Sequence, residues 1–136
     1  MAAIRHLSVV EVVALHAAIM ERTGSALMPL RDVALLESAV YRTRMAEAFG
    51  GESDPIRLAT ALAVGISQAQ AFIEGNKRTA LLSTDAFLRL NGRQFAGDPL
   101  EMSEKLITIA ERIVDRQGAE EDFFVWLYLH VQPRNA

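Results

Sequence analysis

Gln70-Ala71-Phe72-Ile73-Glu74-Gly75-Asn76-Lys77-Arg78-Thr79-Ala80 is the stretch on which the reading of the fold turns. Downstream of it, Leu81, Leu82, Ala86, Phe87, Leu88 and Leu90 recur at helical spacing and stop at Asn91-Gly92, a helix C-cap signal. Upstream, Ile56, Leu58, Ala59, Leu62, Ala63 and Ile66 trace another helix, opened by Asp54-Pro55, an N-cap residue with proline at the first helical position. Gly75-Asn76-Lys77-Arg78 is therefore a turn into a helix N-terminus. The first helical turn carries the positive end of the macrodipole and favours Asp or Glu, by roughly 0.3–1 kcal/mol each. Two adjacent cations there call for a negative partner. A glycine that lets backbone approach closely, free N–H groups at a helix start and the Lys77–Arg78 pair together describe a phosphate cradle. Taken alone, the same two residues are equally compatible with cations pointing into water at small cost.

Working outward, Ser8 and Glu11 form a capping-box pattern ahead of Val9, Val10, Val12, Val13, Leu15, Ile19 and Met20, a run that stops at Thr23-Gly24. This first helix is apolar round much of its circumference and is expected to be largely buried, with His16 a packed side chain. Met28-Pro29-Leu30-Arg31-Asp32 punctuates the chain, and Asp32 is the N-cap of a helix carrying Leu35, Leu36, Ala39, Val40, Met45 and Phe49 up to Gly50-Gly51. The many small residues after Asp54-Pro55 suit a central helix, whose end delivers Gln70 and Phe72 to the loop. Phe72 is expected to anchor it by burying its ring.

Asn91 to Phe95 is a connector of undetermined form. Asp98-Pro99, with Glu101 at the capping-box position, opens a helix through Leu106, Ile107, Ile109, Ala110, Ile113 and Val114 to roughly Arg116. Gln117-Gly118 is expected to break it. Glu120-Glu121-Asp122 then heads a last helix carrying Phe123, Phe124, Trp126, Leu127, Leu129 and Val131, where acidic residues obey the dipole rule. The expectation is an all-α fold: residues 1–136 as a single domain, a bundle of about six helices.

Composition bounds the function. About half of the 136 residues are hydrophobic, enough for one core. A formal net charge of −3 gives no electrostatic case for a nucleic-acid partner. Cysteine is absent, which excludes disulfides and thiolate metal sites and fits a reducing compartment. No signal pattern opens the chain and no apolar run reaches the length of about 20 residues that spans a bilayer, so a soluble cytoplasmic protein without a membrane partner is expected.

The pattern Phe-x-(Asp/Glu)-Gly-Asn-Lys-Arg-Thr-Ala, met here by Phe72, Glu74, Gly75, Asn76, Lys77, Arg78, Thr79 and Ala80, resembles the signature loop of the death-on-curing (Doc) toxins, a branch of the Fic superfamily. Leu30-Arg31-Asp32 followed by Leu35-Leu36-Glu37-Ser38-Ala39 resembles a second Doc-like block, which extends the resemblance over most of the chain. Apart from it, Arg31 and Asp32 read as turn chemistry.

The resemblance implies a Fic-like fold and transfer of a phosphate-containing group from a nucleotide, usually ATP, to a hydroxyl of a protein target. The group is AMP in most of the superfamily and a phosphoryl group in the Doc branch with Asn-Lys-Arg. It further implies ATP and Mg²⁺ as cofactors, a cradle from Gly75 and Asn76, phosphate contacts from Lys77 and Arg78 with Arg78 also catalytic, and Glu74 as the metal carboxylate. A protein substrate and a small Phd-like antitoxin are the implied partners.

Gln70 departs from the resemblance. It stands where the family has the histidine that accepts the hydroxyl proton. A carboxamide can orient a hydroxyl but has no protonation step near neutral pH, and loss of a general base typically costs about 10²–10⁴-fold. Ala69 and Ala71 also differ from the family's Asn-His-Pro-Phe form, which favours natural divergence over deliberate inactivation. His6, His16 and His130 lie outside the loop in sequence and receive no role. The self-inhibitory pattern Ser/Thr-x-x-x-Glu-Gly/Asn of some Fic proteins is approached only by Thr43 and Glu47, followed by Ala48, so inhibition falls to a separate antitoxin. Two other readings stand beside the toxin enzyme: a non-catalytic descendant that binds nucleotide or an antitoxin, and a plain helical interaction module.

Overall fold

The computed structural model describes residues 3–24, 30–111 and 115–134. Among them run α1 (Val9–Arg22), α2 (Val33–Ala48), α3 (Pro55–Ala69), α4 (Asn76–Leu90), β1 (Arg93–Phe95), α5 (Pro99–Glu111), α6 (Arg116–Tyr128) and β2 (Val131–Pro133). The fold is all-α, with the two short strands as a clasp. No helix among the described residues is long and apolar enough to cross a membrane.

Asp54 accepts from the Ile56 N–H at 2.9 Å and starts α3 one residue before Pro55, whose missing N–H is no loss there. Eleven of the fifteen residues of α3 are buried, so it has no broad solvent face and serves as the axis of the core. It packs against α2, α4, α5 and α6. Small residues make this possible: a Cβ added at Gly65 would sit 3.4 Å from both the Cβ and the carbonyl oxygen of Ala39 on α2, at the near limit of ordinary van der Waals contact. From the far side α1 packs on α4, which brings α1 beneath the loop joining α3 to α4.

The helix starts follow the expected local chemistry. Asp32 accepts from the N–H groups of Ala34 and Leu35, and Asp98 from Leu100. Ser8 and Glu11 make both halves of the capping box. The Ser8 backbone N–H, followed by its hydroxyl, holds the Glu11 carboxyl below the ordinary glutamate range. Folding thus favours the deprotonated form: the contribution is fully present above the unfolded value and fades as pH falls through the lower folded one. Ser8→Ala is expected to cost about 1 kcal/mol of stability at neutral pH in urea unfolding, and Glu11→Gln should flatten the acid limb of the stability profile.

Four expectations are corrected. Only one stripe of α1 is buried (Val12, His16, Ile19 and Met20), and Val10 is 76% exposed, because the helix has a single packed neighbour face. Glu101 turns from the capping-box role to accept the Trp126 indole N–H, joining α5 to α6. Gln117-Gly118 does not break a helix but lies in the first turn of α6: Asp115 is the N-cap and accepts from the Gly118 N–H at 3.2 Å, where a Cβ would stand 2.5 Å from that carboxylate. Glu120, Glu121 and Asp122 accordingly fall one turn later than expected. Lastly, α6 ends at Tyr128, and Val131 belongs to β2, which pairs antiparallel with β1 through Arg93↔Pro133, Gln94↔Gln132 and Phe95↔Val131. Met28, Pro29, Ile113 and Val114 lie outside the described residues.

Candidate functional site

Two left-handed residues turn the chain between α3 and α4: Gln70 (φ 50°), which caps α3, and Gly75 (φ 87°), which caps α4. The intervening loop is fixed from three sides. On the outside, Leu30 and Phe72 form an isolated antiparallel bridge, the N–H groups of Arg31 and Asp32 donate to the Ala71 carbonyl at 2.7 and 3.1 Å, and the Arg31 Nε donates to the Gln70 carbonyl at 2.8 Å. From within, the Asn76 side chain clasps the Phe72 backbone, its Oδ1 accepting from the N–H at 2.9 Å and its Nδ2 donating to the carbonyl at 2.7 Å. From below, α1 presents His16, whose ring stacks on Phe72 with centroids 3.9 Å apart and whose Nε2 donates to the Glu74 carbonyl at 2.7 Å.

Phe72 is buried, as its anchoring role requires. Gly75 is required twice over. Its φ is one that side chains rarely adopt, and an added Cβ would stand 2.8 Å from the Met20 Cε and 3.2 Å from the His16 ring. Thr79 completes the entry to α4, with both its N–H and its hydroxyl donating to the Gly75 carbonyl, at 2.9 and 2.7 Å.

The loop opens onto a cleft of about 570 Å³ lined by Gln70, Glu74, Gly75, Asn76, Lys77 and Arg78 on one side, by Ile107, Ala110 and Glu111 of α5 on another, and by Met20 and Thr23 of α1. The helices α1, α2, α3 and α6 each begin under a side-chain oxygen; α4 begins at Gly75 with no side-chain cap. Among the described residues no side chain caps its first N–H groups, which belong to residues that line the cleft, where the macrodipole is positive. Lys77 and Arg78 add two cations, and neither makes an ion pair among the described residues. Such a mouth suits an anion with several oxygens.

The sequence-predicted residues Gln70, Glu74, Gly75, Asn76, Lys77 and Arg78 are all brought to this one cleft, though with different work. The Asn76 amide is occupied in holding Phe72. The Gln70 amide donates to the Ser67 carbonyl at 2.6 Å and accepts from Asn76 Nδ2 at 3.4 Å. Glu74 keeps its carboxylate exposed at the rim. Mg²⁺ takes one or two carboxylates and completes its shell with phosphate oxygens and water. No group of three His, Asp, Glu or Cys gathers among the described residues, and Glu74 and Glu111 are the acidic residues that line the cleft.

Sequence reasoning missed two residues. Turn chemistry alone gives Arg31 no partner beyond its own turn, whereas its guanidinium straps the loop. Core packing accounts for the 2% exposure of His16, yet its ring nitrogen also bonds the loop. The approached inhibitory pattern has other work: Thr43 is buried, and the Glu47 carboxylate lies 2.7 Å from His6 Nε2, tying α2 to the N-terminal segment.

Fold and site together define an all-helical protein whose cleft is headed by an uncapped, doubly cationic helix start. The chain belongs to the Fic/DOC family, whose family model matches residues 6–88. It is 34% identical over 95 residues to "Protein kinase doc" of Escherichia phage P1, covering 70% of this chain and 75% of that protein. It is also 39% identical over 74 residues to "Toxin Doc" of Mycolicibacterium smegmatis, covering 52% of this chain and 55% of that protein.

Proposed function

We propose that this protein is the cytoplasmic toxin of a toxin–antitoxin pair, and that its cleft binds ATP with Mg²⁺ and directs transfer of a phosphoryl or nucleotidyl group to a hydroxyl of a protein target. The observation that carries the reading is the start of α4: N–H groups with no side-chain cap, and two cations unpaired among the described residues at the mouth of a 570 Å³ cleft. Relatives named as a protein kinase and a toxin support the direction of the reading. A small antitoxin of the Phd kind is the corresponding partner.

In the transfer, the target's hydroxyl oxygen forms a bond to phosphorus while the bond to the leaving group breaks, releasing ADP for phosphoryl transfer or pyrophosphate for AMP transfer. The uncapped N–H groups after Gly75 receive phosphate oxygens, and Lys77 and Arg78 offset the charge that spreads over those oxygens as the bond breaks. Glu74 would hold Mg²⁺ at the cleft, and the cation would supply further charge neutralisation there. Gln70 orients the incoming hydroxyl only once its amide leaves Ser67 and Asn76; its carboxamide does not take the proton, which passes to solvent. The reaction is correspondingly slow.

Isothermal titration with ATP and Mg²⁺ tests the reading. The natural chain is expected to bind, and Arg78→Ala to weaken binding about 10–100-fold, the worth of a hydrogen bond to a charged group. Absence of binding by the natural chain, or an unaltered Kd for Arg78→Ala, overturns it.

A second reading, nucleotide or antitoxin binding without catalysis, is favoured by one observation: the Gln70 amide is engaged with Ser67 and Asn76 rather than directed to a substrate. The two readings separate in a growth assay. Toxicity of the natural chain that disappears with Arg78→Ala supports the enzyme; toxicity that appears only in Gln70→His supports the binding protein.

A further inference from the structure

We infer that His16, in the middle of α1, is a positioning residue for the phosphate site: it fixes the peptide plane between Glu74 and Gly75 and so sets which backbone groups face the cleft. The inference rests on the nucleotide-site reading. Gly75 creates the need for it. A glycine tolerates φ of either sign, so the Glu74–Gly75 peptide unit is free to flip at little steric cost, exchanging its carbonyl for its N–H on the cleft side. Neither Gly75 nor the start of α4 supplies a side chain that opposes the flip.

His16 opposes it from below. Its Nε2 lies 2.7 Å from the Glu74 carbonyl oxygen, and because a carbonyl only accepts, Nε2 carries the proton and donates. The ring cannot turn away, since it is 2% exposed and stacked 12° from parallel on Phe72. Stack and hydrogen bond divide the work: the first seats the loop, and the second points the Glu74 carbonyl toward α1, so that the Gly75 N–H, on the opposite edge of the same trans peptide, points away from it. The contact is part-buried and joins residues 58 positions apart, so it gives α1 a part in a site to which it otherwise contributes only Met20 and Thr23 at the wall.

Two variants separate positioning from packing. His16→Phe keeps an aromatic ring against Phe72 and removes the donor; His16→Gln places an amide donor near the position of Nε2. Titration with ATP and Mg²⁺ is expected to show about a tenfold loss of affinity for His16→Phe, the worth of one hydrogen bond, and recovery to within about threefold for His16→Gln, with both chains folded by thermal melting. Relaxation dispersion at the Gly75 and Asn76 amides is expected to be flat in the natural chain and in His16→Gln, and to show microsecond-to-millisecond exchange in His16→Phe. Unchanged affinity and flat dispersion in His16→Phe, or losses in both variants that track only their melting temperatures, overturn the inference. If the natural chain fails to bind the nucleotide at all, the proposed function falls, and the dispersion comparison still decides whether His16 holds the peptide plane.

Discussion

Gln70→His is expected to raise group transfer to a protein hydroxyl about 10²–10⁴-fold, the usual contribution of a general base. Residue 70 is solvent-exposed, lines the cleft and sits at φ 50°, a left-handed conformation in which histidine is among the better tolerated side chains. Little is lost in making room for the ring. The glutamine's two side-chain bonds run to Ser67 and Asn76, and the second is long at 3.4 Å, whereas Asn76 holds Phe72 through two shorter bonds of its own. The backbone carbonyl of residue 70, which takes the Arg31 guanidinium, is the same in either variant.

The gain should carry a pH signature. A histidine base must be neutral to act, so the variant's rate is expected to climb through the ordinary imidazole range near about 6.5 and level off above it, a limb that the natural chain lacks. Transfer of label from γ- or α-labelled ATP to acceptor protein, followed from pH 5.5 to 8.5, measures both effects and identifies which group moves. A variant that still binds ATP but gains neither rate nor a pH limb would show that residue 70 does not adjoin the attacking hydroxyl.

The second large effect concerns stability. Phe72→Ala is expected to cost about 3–5 kcal/mol in urea unfolding, the range for deleting a buried aromatic ring, a large share of the roughly 5–15 kcal/mol that holds most domains folded. The ring is 2% exposed and forms the contact through which α1 grips the loop, so truncation leaves a void against His16 with the Leu30 bridge on its other side. Phe72→Leu keeps most of the apolar volume and should lose less than half as much. A cost for Phe72→Ala below about 0.5 kcal/mol, the level of ordinary surface substitutions, would mean that the loop is held mainly by its backbone bonds to Asn76, Arg31 and Asp32.

The helix starts were legible because capping is a local transaction: Ser8, Asp32, Asp54 and Asp98 each reach an N–H two or three residues ahead, and sequence spacing contains that information. The site loop was legible for a related reason, since Lys77 and Arg78 contradict the dipole preference of the helix that Gly75 opens. Local signals also misled. Gly118 reads as a breaker until the Asp115 carboxylate is seen occupying the space a Cβ would need, and Glu101 reads as half of a capping box until Trp126 arrives from α6.

By itself, the sequence determined where α1, α2, α3 and α5 begin, that the helices make an all-α fold, and which six residues gather at the turn between α3 and α4. Only the tertiary structure decided what holds that turn in place: Arg31 reaches across 39 positions and His16 across 58, while β1 and β2 meet from opposite ends of α5 and α6. Three-residue strands carry too few residues for a periodic pattern, and a lone arginine or histidine has no spacing at all. Their partners are chosen by how whole helices pack around α3, and that arrangement is a property of the assembled core rather than of any local run of residues.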